Sequence, residues 1–332
     1  MVKPELVFLL SIDTEEEWDW NGPFPEDQFD TENTQQLPRF QQFCESISVK
    51  PTYLVDYAAA KAIPSNGEFV QSVLSNKAEI GAHLHPWANP PFFGKPDEFT
   101  SHVINLPLHQ VEEKLDLLIE LLTTKFHSHP KSFRTGRWGI SGDIMKLLFK
   151  KGFEIDSSVY PFYENEYFSC QGAPVKPYWP SFDDVLGAGV QRNLLEIPVS
   201  VGFNRASFGI ANSVYNTLDT PAMQKLKANA IMWHTGLLKK IYMSPEVTDL
   251  NNLKLLCDSI IHNGCPIIHM YFHSSSLISD VTGVLKADDP FQVITSRIQG
   301  VVEHLSKTHD VKCLTLSEAK THCSINEEYM AA

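Results

Sequence analysis

The longest apolar run opens the chain. Leu6 to Ile12 is hydrophobic apart from Ser11 and then meets Asp13, Glu15, Glu16 and Glu17. A run of this length, ended abruptly by charge, predicts a strand buried on both faces, as in a parallel sheet. Shorter runs of the same kind recur at Thr52–Asp56, Glu79–His83, Ser132–Arg134, Phe153–Asp156, Leu195–Val199, Pro266–Phe272 and Val311–Leu314. Between them the apolar spacing becomes helical. Leu108, Val111, Leu115, Leu118 and Leu122 fall on one helix face. Ser141 is placed to cap a helix through Ile144, Leu147 and Leu148 that stops near Gly152. Ser65–Leu74, Leu250–Ile261 and Pro290–Leu305 predict three more helices. Alternation of strand and helix points to a parallel α/β architecture. Two stretches break the rhythm: 157–194 is rich in Pro, Tyr, Phe and Trp, and 202–245 carries Gly and Asn around a helical middle, Met223–Leu238. They read as insertions on the rim of one catalytic domain spanning 1–332, where α/β enzymes build specificity.

Composition narrows the class. The chain has 332 residues, 43% of them hydrophobic and 20% charged, enough for a sizeable core without disulfide staples. A formal net charge of −13 argues against nucleic acid and against an anionic membrane surface as partners. No run approaches the roughly 18 apolar residues of a membrane span. Leu6–Ile12 runs directly into carboxylates without a small-residue cleavage site, so it reads as a strand and not as a signal peptide. Six scattered cysteines without a CxxC pair then lead to the expectation of reduced thiols and a cytoplasmic location.

Chemically useful groups gather where the strands end, which is where active sites of parallel sheets lie. Asp13 and Glu15 close the first strand and, two residues apart, share one face. His83 and His85 form an HLH pair at the third strand's end, a spacing that lets two imidazoles share one metal such as Zn²⁺. An identical HSH pair, His127 and His129, follows a helix with no carboxylate nearby and reads as a loop feature, so spacing alone decides little. Arg134 and Arg137 stand in FRTGRWG, where Gly136 and Gly139 allow a tight turn. His273 closes IIHMYFH and is a candidate general acid.

The order of these segments resembles the polysaccharide deacetylase family with NodB homology, also called carbohydrate esterase family four. SIDTEEEW looks like its first motif, EIGAHLHPW its second, FRTGRWG its third, DSSVYP its fourth and MYFHS its fifth, from about Leu6 to Ala319. The resemblance implies a distorted (β/α)7–8 barrel and a hydrolase that removes an N-acyl group, in the simplest case acetyl, from an amino sugar or glycan. It implies a divalent cofactor, Zn²⁺ first, with Co²⁺, Ni²⁺ or Mn²⁺ as alternatives. Asp13 matches the general base, Arg134 the arginine that holds it, His83 a metal ligand and His273 the general acid. The backbone N–H near Arg137 would stabilise the oxyanion, and Arg137, Trp138, Trp87 and Tyr160 are the expected substrate contacts. Two departures stand out. The acids are spaced by Thr14, which assigns the metal carboxylate to Glu15. Trp87 occupies the position of the usual second histidine, which leaves that role to His85 in an HLHPW variant. Two other readings stay open: a metal-independent hydrolase of a C–N bond on the same fold, and a non-catalytic carbohydrate-binding relative.

Overall fold

A computed structural model describes residues 3–20 and 22–331. Its strands are β1 (Glu5–Thr14), β2 (Thr52–Val55), β3 (Glu79–Leu84), β4 (Ser132–Thr135), β5 (Ile155–Asp156), β6 (Leu195–Glu196), β7 (Val201–Phe203), β8 (Lys240–Tyr242), β9 (Ile267–His273) and β10 (Asp310–Leu314). Its helices are α1 (Leu37–Ser46), α2 (Tyr57–Ala62), α3 (Glu68–Leu74), α4 (Leu108–Phe126), α5 (Gly142–Lys150), α6 (Phe208–Leu218), α7 (Pro221–Lys225), α8 (Ala228–His234), α9 (Leu250–His262), α10 (Pro290–Ser306) and α11 (Leu316–Ile325).

Eight strands form one parallel sheet that curls into a distorted β/α barrel. β1 is its centre. One edge pairs with β9 over Val7–Asp13; the other pairs with β10 over Glu5–Leu9 and with β2 over Ser11–Thr14. β3, β4, β5 and β6 follow in sequence order. Every residue of β1 after Glu5 is buried, because helices cover one face and the barrel interior the other. α4 turns Val111, Leu115, Leu118 and Leu122 inward, as their spacing requires. The Ser141 hydroxyl accepts from the Ile144 amide and caps α5, a bond worth about 1 kcal/mol.

Two predicted strands shrink to two residues each, 153–156 to Ile155–Asp156 and 195–199 to Leu195–Glu196. β6 is assigned only Leu195–Glu196, and the Ile197 amide still donates to the Asp156 carbonyl (2.9 Å) just beyond it. The chain then crosses to β9: the Ser200 amide donates to the His269 carbonyl (3.0 Å), and the His269 amide to Ser200 Oγ (2.9 Å). These bonds span the gap between the sheet's two ends. The stretch 157–194 is mostly irregular, joined by isolated bridges such as Tyr178 to Glu196. The stretch 202–245 holds α6, α7 and α8 within an antiparallel β7–β8 ribbon. Tyr160 and Tyr163 from the first, and Tyr242 from the second, face the cavity at the barrel's carboxyl end. No helix among the described residues is long and apolar enough to cross a membrane.

Candidate active site

Strand register assembles the site. In-register pairing of β1 with β9 sets Asp13 beside His273, and pairing of β3 with β4 sets His83 beside Arg134. All four stand at the carboxyl ends of parallel strands, so the side chains converge on one rim. Glu15 and His85 lie one residue beyond their strands and complete the group.

Arg134 is fully buried and donates to Asp13 Oδ1 at 2.6 Å. Its other donors reach the Ser157 carbonyl, Ser157 Oγ and Ser11 Oγ, each at 2.9 Å. The guanidinium is therefore fixed, and so is the Asp13 carboxylate. Asp13 Oδ2 points to His273 Nε2 at 3.7 Å. On its far side His273 donates from Nδ1 to Glu246 Oε1 at 2.7 Å. Burial opposes the charged imidazole, but Glu246, Glu15 and Asp13 overcome it and push the His273 pKa up to about 10. In the protein without a metal ion this favours an imidazolium at neutral pH, with its Nε2 proton at the cavity. Neighbouring His269, by contrast, is held neutral by burial and by Arg134, its pKa pushed down to about 3, and is bonded to Ser11 and the Pro198 carbonyl.

Glu15 Oε2 lies 3.4 Å from His83 Nε2 and 3.3 Å from His85 Nε2. The other ring nitrogens define the tautomers. His83 Nδ1 donates to the Arg134 carbonyl (3.2 Å), and His85 Nδ1 donates to Glu16 (3.0 Å). Both Nε2 atoms then present lone pairs toward a carboxylate oxygen. Three acceptors facing one another need a cation or an added proton, and His83 Nε2 is buried with no hydrogen-bond partner. The donor set, two imidazoles and one carboxylate, fits a divalent ion such as Zn²⁺. In the protein alone, burial opposes a charged His85, but the Glu16 and Glu15 carboxylates overcome it and raise its pKa well above the ordinary value. Burial likewise opposes ionisation of Glu15, and His273, His85 and His83 overcome it, so Glu15 stays a carboxylate.

The residues around this set hold it in place. Trp87, where the sequence lacks the usual second histidine, stacks on His85 at 4.2 Å and donates its indole N–H to Glu16 Oε1 at 2.6 Å. Glu16 in turn faces Asp56, the N-cap of α2, and burial followed by the Glu16 charge raises the Asp56 pKa. A Cβ added at Gly136 would lie 2.0 Å from His85 Cδ2, so only glycine lets that turn pass the imidazole.

A cavity of about 390 Å³ opens above the set, lined by Trp18, Trp20, Trp87, Trp138, Tyr160 and Tyr271 among others. Trp138 stacks on Tyr160 at 4.5 Å, and Trp20 meets the His273 ring edge-on at 4.7 Å. Arg137 lines the same wall, where its side chain pairs with Glu98 and Ser101. All ten site residues named from the sequence, Asp13, Glu15, His83, His85, Trp87, Arg134, Arg137, Trp138, Tyr160 and His273, lie in or against this region. The HSH pair does not: His127 ends α4 in a left-handed conformation, and both histidines line a separate surface hollow. Sequence reasoning missed Glu246, which follows β8 without a motif. It also gave Glu16 no role, although its position beside Glu15 was visible.

No protein-family model matches the sequence, and no curated protein does. Solved structures do. A protein from Parabacteroides distasonis assigned as a glycoside hydrolase/deacetylase aligns at TM-score 0.61 and 12% identity, over 99% of this chain and 74% of its own. A protein from Mycobacterium smegmatis assigned as a polysaccharide deacetylase aligns at TM-score 0.54 and 13% identity, over 98% and 96%. The allantoinase PuuE aligns at TM-score 0.55 and 12% identity, over 97% and 92%. At such identities the likeness concerns architecture, and on that ground this chain has the fold of the NodB-homology polysaccharide deacetylases.

Proposed function

We propose that this chain is a metal-dependent carbohydrate deacetylase that hydrolyses an N-acyl group, acetyl in the simplest case, from an amino sugar of a glycan or glycan precursor. The observation that carries the reading is the meeting of Glu15, His83 and His85, three mutually facing acceptors, beside the Asp13–His273 pair. A divalent ion held by these three residues would polarise the acyl oxygen and make a water acidic near neutral pH.

The chain's own groups divide the remaining work. Asp13, fixed by Arg134, takes a proton from the attacking water. His273, charged and backed by Glu246, gives its Nε2 proton to the departing nitrogen. The Arg137 backbone N–H is assigned to the developing oxyanion, on a turn that Gly136 allows to lie against His85. Trp18, Trp87, Trp138 and Tyr160 give apolar walls suited to the faces of a sugar ring and exclude water from the reacting bond.

Protein loaded with Zn²⁺ or Co²⁺ should release acetate from N-acetylated amino sugars or their oligomers, and a chelator should stop the release. An active, chelator-insensitive protein would instead favour C–N hydrolysis without metal, the reading that the tryptophan at position 87 keeps in view. Binding of sugars with no turnover in any metal form would favour a carbohydrate-binding relative.

A further inference from the structure

Below the rim, two carboxyl groups meet in the sheet itself. Asp156 ends β5, Glu196 ends β6, and the two are register partners on adjacent parallel strands. Both are fully buried. Ser158 Oγ donates to Asp156 Oδ1 at 2.6 Å, and the Val159 amide donates to Glu196 Oε1 at 3.1 Å. The remaining oxygens, Asp156 Oδ2 and Glu196 Oε2, are buried and have no hydrogen-bond donor, although the two side chains interact across the strand pair. Two carboxylates have no donor between them, so this contact requires a proton.

The turn these acids hold is the one that holds Arg134. Ser157, next to Asp156, accepts from Arg134 Nε through its carbonyl and from Nη2 through its hydroxyl, then donates that hydroxyl to the Ile197 carbonyl, next to Glu196 (2.8 Å). Ser158 Oγ also accepts from the Thr135 amide. The acid pair is therefore one residue along the chain from Ser157 and from Ile197, and hydrogen bonds run on from Ser157 to Arg134 and to Asp13.

We propose that Asp156 and Glu196 share one proton, and that this bond positions Arg134, and through it the Asp13 carboxylate, for reaction. Burial and then the facing Asp156 carboxyl raise the Glu196 pKa well above the ordinary value, in keeping with a proton kept at neutral pH. The ionisable groups beside the pair, Cys170 and Tyr178, are themselves kept neutral by burial. The kinetic arm of the test rests on the deacetylase reading; the spectroscopic arms do not.

Infrared difference spectra of wild type minus Glu196→Gln at neutral pH should show the carbonyl band of a protonated carboxyl group. Absence of that band overturns the shared proton. Glutamine keeps a neutral donor toward Asp156, so the carboxyl ¹³C resonance of Asp13 should stay in place in Glu196→Gln and move in Glu196→Ala. Glu196→Leu, which keeps the volume, takes its place if the alanine variant does not fold. On an accepted substrate, Glu196→Ala should lose on the order of ten- to a hundredfold in kcat with KM unchanged, the scale of a misplaced catalytic group, and Glu196→Gln should retain most of it. An Asp13 resonance that moves equally in the glutamine and alanine variants, or in neither, overturns the positioning role whether or not a substrate has been found.

Discussion

Replacing Glu246 by glutamine tests how His273 comes to be an acid. The carboxylate of Glu246 is buried and accepts from His273 Nδ1 at 2.7 Å. Glutamine keeps the shape and an acceptor but removes the charge. Two charges about 4 Å apart in surroundings of effective dielectric about 20 interact by about 4 kcal/mol, or ~3 pKa units. The retained amide dipole recovers part of that, so a fall of ~2 units is expected. His273, pushed up to about 10 in the wild type, should then titrate near ~8, still raised by Glu15 and Asp13. NMR titration of the imidazole reads this directly, with wild type and variant both metal-free. The sign for stability follows. A histidine whose folded pKa is raised stabilises fully below its unfolded value near 6.5, and that contribution is lost as pH rises through about 10. The variant should therefore lose less stability than wild type between neutral and alkaline pH. In turnover, the alkaline limb should move down with the His273 pKa. A His273 pKa unchanged to within about half a unit would refute the assignment of Glu246 as the main source of its charge.

Other substitutions separate the remaining roles. Asp13→Asn should lower kcat by about 10²–10⁴ with substrate binding retained, measured by steady-state kinetics alongside calorimetric binding. Arg134→Ala leaves the Asp13 carboxylate buried without its partner and should cost about 3–5 kcal/mol in urea unfolding. Trp87→Phe removes the indole N–H that holds Glu16, and with it the orientation of His85; metal affinity should weaken about 10–100-fold in a competition titration, with the fold unchanged by circular dichroism.

The parallel sheet was legible because β1 and β9 are buried on both faces and read as nearly continuous apolar runs, while α4, α9 and α10 show clear helical spacing. The convergence of Asp13, His83, Arg134 and His273 was legible for a related reason: each closes such a run, and parallel register does the rest. Other elements were hidden by weak local signals. α1 buries Leu37, Phe40, Gln41 and Cys44, a helical face that Gln41 interrupts with a polar residue. The β7–β8 ribbon offers only short strands separated by α6, α7 and α8, so its pairing is non-local and leaves no period in the sequence. Glu246 and Glu196 show the same limit. Each is an acid whose importance comes from the side chain it faces, His273 for one and Asp156 for the other, across intervals of 27 and 40 residues. Glu16 was visible in the TEEEW run, but alternation along β1 stops at the strand's end and could not show that it turns back to His85.

Glu15, His83 and His85 are proposed to bind one divalent ion. Calorimetric titration of metal-free protein with Zn²⁺, repeated on a His83→Ala/His85→Ala double variant, measures it most directly. Saturation at one ion per chain is expected in the wild type, and loss of that binding in the variant, with the fold intact. Wild-type protein that takes up no ion, or a variant that binds as tightly as wild type, would contradict it.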